Sequence, residues 1–300
     1  MSEIIDTHVH FYSCKDLQQA SIPPGYSHSP DYTLEHHLKE MAQLGEIRLI
    51  ISVYMSIFPN AQHVFDSFEE MTNFKQQYGE IKMLGFLNAD PQHVYDGQLD
   101  HPQVQGVRFL LWDTLVEQLK TQFDPEASDW QELFRQISKN RQHVLLLATS
   151  PTILLESIRL IPPEITIGVD HLGAFSWGIK SEMGGYEKLL ELAASRGNVY
   201  FKGPGYRTDV NPEAVVPFVR RLIEKVGDDK IILEATDAPN VGNHLASGET
   251  YRQIYPDVKS ALEFTHQLAN LVCQEPINGR IIQPNRILRE NAFEIYGVRY

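Results

Sequence analysis

Short apolar runs rich in β-branched residues alternate with amphipathic stretches along the whole chain, and that alternation predicts its elements. Runs of strand character begin near residues 4, 48, 81, 105, 143, 165, 198 and 230: IIDTHVHF, RLIISVYM, IKMLGFLN, QGVRFLLW, HVLLLAT, ITIGVDH, NVYFKG and KIILEAT. Between them lie segments such as TLEHHLKEMAQLG, SDWQELFRQISKN, PTILLESIRLI and GGYEKLLELAASRG. Their apolar positions recur at helical spacing, with Ser, Thr or Pro near the starts.

Strands that read as near-continuous apolar runs are buried on both faces, as in a parallel sheet covered by helices. Eight strand-helix units over 300 residues predict one α/β domain, a (β/α)8 barrel spanning residues 1–300. A doubly wound open sheet is the rival. Against it, no glycine-rich phosphate loop follows the first strand, and GPG at Gly203 to Gly205 is too short for a dinucleotide fingerprint. Two long connections, roughly residues 13–31 and 238–255, are rich in Gly, Pro, Ser and Asn. Both leave the carboxyl ends of strands, where barrel active sites are built.

Composition narrows the partners. With 42% hydrophobic and 22% charged residues the chain is an ordinary globular one, and its net charge of −13 argues against nucleic acid or an anionic membrane as partner. Cys14 and Cys273 are too few for a disulfide framework or a cysteine-based zinc site, which points to a reducing compartment. No apolar run approaches the roughly 18 residues of a membrane span, and a first strand at residue 4 leaves no room for a signal peptide. The expected location is the cytoplasm.

The polar residues at the predicted strand ends carry the candidate chemistry. Side chains at i and i+2 of a strand share a face, so Asp6, His8 and His10 are expected on one side and Ile5, Thr7 and Val9 on the other. Arg108 lies in the fourth strand, His171 ends the sixth, Lys202 lies in the seventh and Asp237 follows the eighth. A lone strand histidine is more often structural than catalytic; the joint placement at one rim shifts that balance. Asp6 is expected as a buried hydrogen-bond partner beneath the histidine pair. Asp170 is expected to orient its neighbours from outside the barrel, and His36 and His37 to be exposed helix histidines.

IIDTHVHFY, HPQVQGVRFLLWD, VDHLGAF, NVYFKGPG, KIILEATDAPN and ILRENAFEIYG follow in order over nearly the whole chain. Together they resemble the amidohydrolase superfamily, specifically the amidohydrolase-related branch that contains 2-pyrone-4,6-dicarboxylate lactonase and sugar lactonases, with decarboxylases as more distant relatives. The resemblance implies catalytic roles for His8, His10, His171 and Asp237. In related metal enzymes the HxH pair and the aspartate hold a divalent cation, usually with a strand-five histidine. Here the carboxyl end of that strand offers Ala148 and Thr149, whereas His143 opens it, so a complete binuclear site is not expected. ATDAPN, DHLGAF and KGPG depart from the GSDWP, DHLGKP and KLSG common in relatives, which bears on the substrate more than on the reaction type.

The leading expectation is hydrolysis of a lactone of a small, anionic organic or sugar acid. Asp237 activates water, histidines polarise the carbonyl, and Arg108, Lys202 and Arg207 bind carboxylate, with Trp112, Trp177, Tyr206 and His244 near the rim. No cofactor is strictly required. The first alternative is a mononuclear metal enzyme, an amidohydrolase or a nonoxidative decarboxylase, with zinc or manganese held among His8, His10, His171 and Asp237. The second is a catalytically silent ligand-binding barrel. A small anionic molecule is the expected partner, and homo-oligomer formation is left open.

Overall fold

The β-branched runs form eight strands: β1 (Glu3–Val9), β2 (Glu46–Val53), β3 (Lys82–Asn88), β4 (Val104–Leu111), β5 (His143–Ala148), β6 (Thr166–Val169), β7 (Val199–Lys202) and β8 (Ile231–Ile232). They pair parallel in sequence order into one sheet. The computed structural model describes residues 3–21, 31–111, 123–148, 150–173, 183–239, 242–243, 252–253, 255 and 257–298. Parallel neighbours need crossovers. The long ones are helices α1 (Leu34–Ala42), α2 (Gln62–Tyr78), α3 (Ser128–Lys139), α4 (Pro151–Leu160), α5 (Met183–Arg196), α6 (Pro212–Val226) and α7 (Val258–Val272). Only the connection after β3 is reduced to the short turns Gln92–Tyr95 and Gln98–Asp100. The architecture is the expected single-domain (β/α)8 barrel.

Several helix starts follow directly from local chemistry. Thr33, Ser150, Asn211 and Asp257 each accept a backbone N–H of the first turn, and Pro151 and Pro212 occupy a position where no N–H is needed. Among the described residues, no helix is long and apolar enough to cross a membrane.

Two apolar layers hold the barrel. Outward residues such as Ile50, Val107, Leu146 and Val169 meet helix residues such as Leu38, Val64, Leu133 and Ile158. Inward residues, among them Leu49, Leu84, Phe86 and Leu145, form a separate interior cluster that Phe293 and Tyr296 of the C-terminal segment join. At that end His143 faces the Tyr200 hydroxyl (3.4 Å), which pairs with the Tyr296 hydroxyl (3.1 Å). His143 therefore belongs to a polar plug at the amino ends of the strands, away from the rim.

The closing seam is irregular. Among the described residues no ladder joins β8 to β1; an isolated bridge between Val9 and Ala238 and a few hydrogen bonds do so, including Asp237 N to His8 O (2.6 Å) and His10 N to Ala238 O (2.8 Å). The register of β1 on β2 shifts between Asp6 and Val9. Such a bulge breaks the two-residue alternation, and the expected sidedness of β1 is corrected accordingly. Ile5 belongs to the interior cluster and Val9 to the outer layer, while Asp6 lies against His37 of α1 (3.3 Å).

Gly106 shows how tightly β4 is fitted. Its φ of 154° is one that L side chains rarely adopt, and a Cβ there would lie 1.8 Å from the carbonyl oxygen of His143 on β5. Gly106→Ala is expected to destabilise the fold by about 2–4 kcal/mol. Urea unfolding of wild type and variant checks this; equal midpoints would mean that the β4–β5 approach is not close.

Candidate active site

The strand ends bring seven of the expected site residues into one cluster: His8 and His10 from β1, Arg108 from β4, His171 after β6, Lys202 from β7, Arg207 after β7 and Asp237 after β8, all buried. The imidazoles of His8 and His171 stack at 5.1 Å between centroids, and His8 meets His10 edge-on at 5.0 Å. Asp237 is the hub. Its Oδ1 lies 3.1 Å from His10 Nε2 and 3.5 Å from His8 Nε2, and its Oδ2 accepts Arg207 Nε (2.7 Å) and Nη2. Both His171 and Asp237 have positive φ (52° and 54°), so the chain turns sharply just where each strand delivers its functional side chain.

Asp170 is the second hub, and its place corrects the expectation that it works from outside the barrel. Position 170 is in phase with inward-facing Gly168, and its carboxylate points into the cluster. Oδ2 accepts Arg108 Nε (2.9 Å) and Nη2 (2.8 Å), while Oδ1 lies 3.4 Å from His8 Nδ1 and 3.6 Å from Lys202 Nζ. Arg108 also donates to Tyr54 O (2.9 Å), and Lys202, fully buried, donates to Thr7 O (2.5 Å). Tyr206 is buried as well, its hydroxyl donating to Thr236 O. Trp112, Trp177 and His244 lie outside the described residues.

Burial and charge set the protonation states. Burial pushes the His171 imidazole down to about 3, and burial with the nearby Lys202 charge holds His8 well below its ordinary range. Both rings are neutral at pH 7. For Asp237, burial favours protonation, but Arg207, His10, His8 and His171 outweigh it and keep the carboxyl well below the usual range. Asp170 behaves likewise, with Arg108, His8 and Lys202 overriding burial. Burial lowers Lys202 to about 8 against the pull of Asp170.

Hydrogen bonding decides whether these residues fit a metal. His10 Nδ1 faces the carbonyl of Val53 (2.6 Å), which can only accept, so the ring hydrogen is there. His8 Nδ1 lies 3.4 Å from the Asp170 carboxylate, a longer contact that favours the ring hydrogen on the same nitrogen. The lone pairs of both Nε2 atoms and of Asp237 Oδ1 are thereby turned on one point, within 4.8 Å of one another. Imidazoles anchored through Nδ1 to an acceptor and a carboxylate are the donors a single divalent ion takes. A second grouping, His8, Asp170 and His171, is also close enough. There, however, the carboxylate already faces Arg108 and Lys202, and like charge disfavours another cation. The residues fit one ion, not a pair.

His37 is the other misread position. It is buried on the inner face of α1, with Nδ1 at 3.0 Å from Tyr32 Oη, whereas His36 beside it is exposed as expected. The signal was present in the helical pattern: Leu34, His37, Leu38 and Met41 fall at the spacing of one buried face.

The family model described as Amidohydrolase matches residues 5–256 of the chain. No curated protein matches. Among solved structures, one described as a probable 2-pyrone-4,6-dicarboxylic acid hydrolase from Acinetobacter baumannii, with citric acid bound, is similar at TM-score 0.72 and 19% identity, covering 98% of this chain and 99% of that one. An amidohydrolase from Burkholderia multivorans with bound zinc gives TM-score 0.63 and 14% identity over 99% of this chain and 100% of that one. A 2,6-dihydroxybenzoate decarboxylase from Rhizobium gives 0.60 and 12% over 99% of each. At these identities the likeness shows the shared barrel.

The neutral buried histidines make stability depend on pH. In the unfolded chain a histidine gains a proton below about 6.5. In the fold, burial holds His37, His63 and His171 at about 3, His143 at about 4 and His8 well below its ordinary value. Asp6 works the other way: burial raises it to about 7, so the folded state keeps a proton that the unfolded state lacks. Five groups against one leave the unfolded state binding four more protons near pH 5. Stability is therefore lost as pH falls from 7 to 5, with a slope on the order of 5 kcal/mol per pH unit at its steepest. Urea midpoints across that range check it, and a flat profile would show that these histidines titrate normally.

Proposed function

The chain belongs to the amidohydrolase family, and from that membership we propose that it is an enzyme hydrolysing a lactone of a small, carboxylate-bearing organic or sugar acid. The observation that carries the reading is the charge around Asp237. Arg108, Lys202 and Arg207 set three buried cationic side chains against two carboxylates, Asp170 and Asp237. A site with surplus buried positive charge attracts an anionic ligand. Arg207 grips the Asp237 carboxylate through Nε and Nη2, the bidentate chemistry by which a guanidinium binds a carboxylate. The description of the Acinetobacter neighbour, a dicarboxylic acid hydrolase with a tricarboxylate bound, supports the same ligand chemistry.

Asp237, ionised at neutral pH, takes a proton from water as the water oxygen attacks the lactone carbonyl carbon. The developing oxyanion is met by fixed donors of the buried cluster, from the His171 imidazole and the guanidinium groups, which costs no reorganisation during the reaction. The ring C–O bond then breaks, and the proton held on Asp237 passes to the leaving oxygen. Water and lactone thus give one hydroxy acid. His8 is kept in one tautomer by Asp170, and Arg108 and Lys202 keep Asp170 ionised for that task.

A second reading is favoured by the converging lone pairs of His8, His10 and Asp237. These three would hold one divalent cation, zinc or manganese, which lowers the pKa of bound water. An amide hydrolase or a nonoxidative decarboxylase follows from that reading.

Elemental analysis of the purified protein before and after chelation, paired with a pH-indicator screen of lactones, separates the two. Turnover that survives chelation supports the lactonase; one tightly held ion per chain whose removal abolishes turnover supports the metal enzyme. On an accepted lactone, Asp237→Asn is expected to lower kcat by about 10²–10⁴-fold, and unchanged turnover would overturn its role as base. Arg207→Met should lower kcat for every accepted lactone, because Asp237 loses its charge partner, and in addition raise KM at least about tenfold for lactones bearing a carboxylate, in line with one lost charge-assisted contact.

A further inference from the structure

Two polar side chains that lie behind the cluster close the barrel beside it. Asp6 Oδ1 accepts the backbone N–H of His8 (3.0 Å) and of Thr236 (3.0 Å), and Asp6 Oδ2 accepts the Thr236 hydroxyl. The same hydroxyl oxygen accepts Ala238 N (3.1 Å). Between these, Asp237 N donates to His8 O (2.6 Å), and Tyr206 donates its hydroxyl to Thr236 O. Three successive N–H groups, at 236, 237 and 238, are therefore satisfied by β1 or by the Thr236 hydroxyl, at a seam where no sheet ladder exists.

We infer that Asp6 and Thr236 are a positioning pair: they clamp the chain after β8 to β1 so that Asp237 is held in its left-handed conformation with its carboxylate against His8 and His10. His8 and Asp237 come from the first and last strands, which meet through one isolated bridge and a few backbone bonds, so Asp6 and Thr236 add the side-chain contacts that set their separation. The bonds of Asp6 reach the backbone of His8 and of Thr236, the residue before Asp237. Threonine at 236 is required for its hydroxyl, which gives a hydrogen to Asp6 while taking one from Ala238; valine, of the same shape, does neither. Asparagine at 6 keeps the carbonyl oxygen that takes both N–H groups and turns its amide hydrogens toward His37 Nε2 and the Thr236 oxygen. The clamp thus depends on hydrogen-bond geometry, not on charge.

Crystal structures of Asp6→Asn, Asp6→Leu and Thr236→Val test this, together with kcat and KM on the lactone the wild type hydrolyses best; only the kinetic part rests on the lactonase reading. Asp6→Asn is expected to keep the His10–Asp237 contact at 3.1 Å and kcat within about threefold, because every bond to the backbone is retained. Thr236→Val is expected to free Asp237 from its positive φ, move its carboxylate from His10 by about 1 Å and lower kcat by about 10²-fold with KM within about threefold. Thr236→Ser should restore both. If Asp6→Leu does not fold, the Thr236 pair still decides, since it exchanges one hydroxyl for a methyl. A folded Thr236→Val with Asp237 unmoved and kcat unchanged overturns the clamp. Should Asp237 move while the wild type hydrolyses no lactone, the clamp stands and the lactonase reading falls.

Discussion

A parallel barrel exists only if its last strand meets its first, and in this protein that meeting is made by side chains as much as by backbone. β8 contributes two residues to the sheet, after which the chain runs beside β1 through one bridge, a few backbone hydrogen bonds, Glu234 beneath Ile5, and the Asp6 carboxylate. The active cluster straddles this seam. A regular ladder would have kept strict alternation and sent His8 and Asp6 to one face; the bulge instead lets β1 point an aspartate outward and two histidines inward.

Electrostatics explains why so polar a cluster survives at the end of an apolar barrel. An isolated buried carboxylate would take up a proton and an isolated buried amine would lose one. Here Asp170 has Arg108 and Lys202, and Asp237 has Arg207 and the histidines, so both acids stay ionised while His8 and His171 stay neutral. In a low-dielectric setting each such pair is strong and directional. The outcome is a set of fixed charges whose surplus is positive and whose lone pairs converge on a point beside Asp237. Both the anion-binding and the single-cation readings grow from that one arrangement, the first from the surplus positive charge and the second from the three converging lone pairs.

The strands were legible because burial on both faces writes itself as continuous apolar runs, and every one of the eight appears where such a run was read. His8, His10, His171, Lys202 and Asp237 were legible as strand-end polar residues, and a barrel necessarily gathers such residues at one rim. Asp170 was misread because its direction depends on the phase of β6, four residues long, and on the left-handed turn at His171 that follows. His37 lies at a buried position of its helix, held by Tyr32 five residues before it and by Asp6 of β1, and the second of these contacts exists only once the barrel is folded.

What the sequence by itself determined was periodicity and inventory: eight units, their order, and which ionisable groups end which strands, since local patterning and short motifs record burial and turn chemistry directly. Only the tertiary structure decided the pairings, Arg108 and Lys202 on Asp170, Arg207 on Asp237, and Asp6 on Thr236 across 230 positions. Those contacts depend on one bulge, two left-handed residues and the closing of the barrel. Charge pairing acts through distance in space, and no local pattern along the chain encodes that distance.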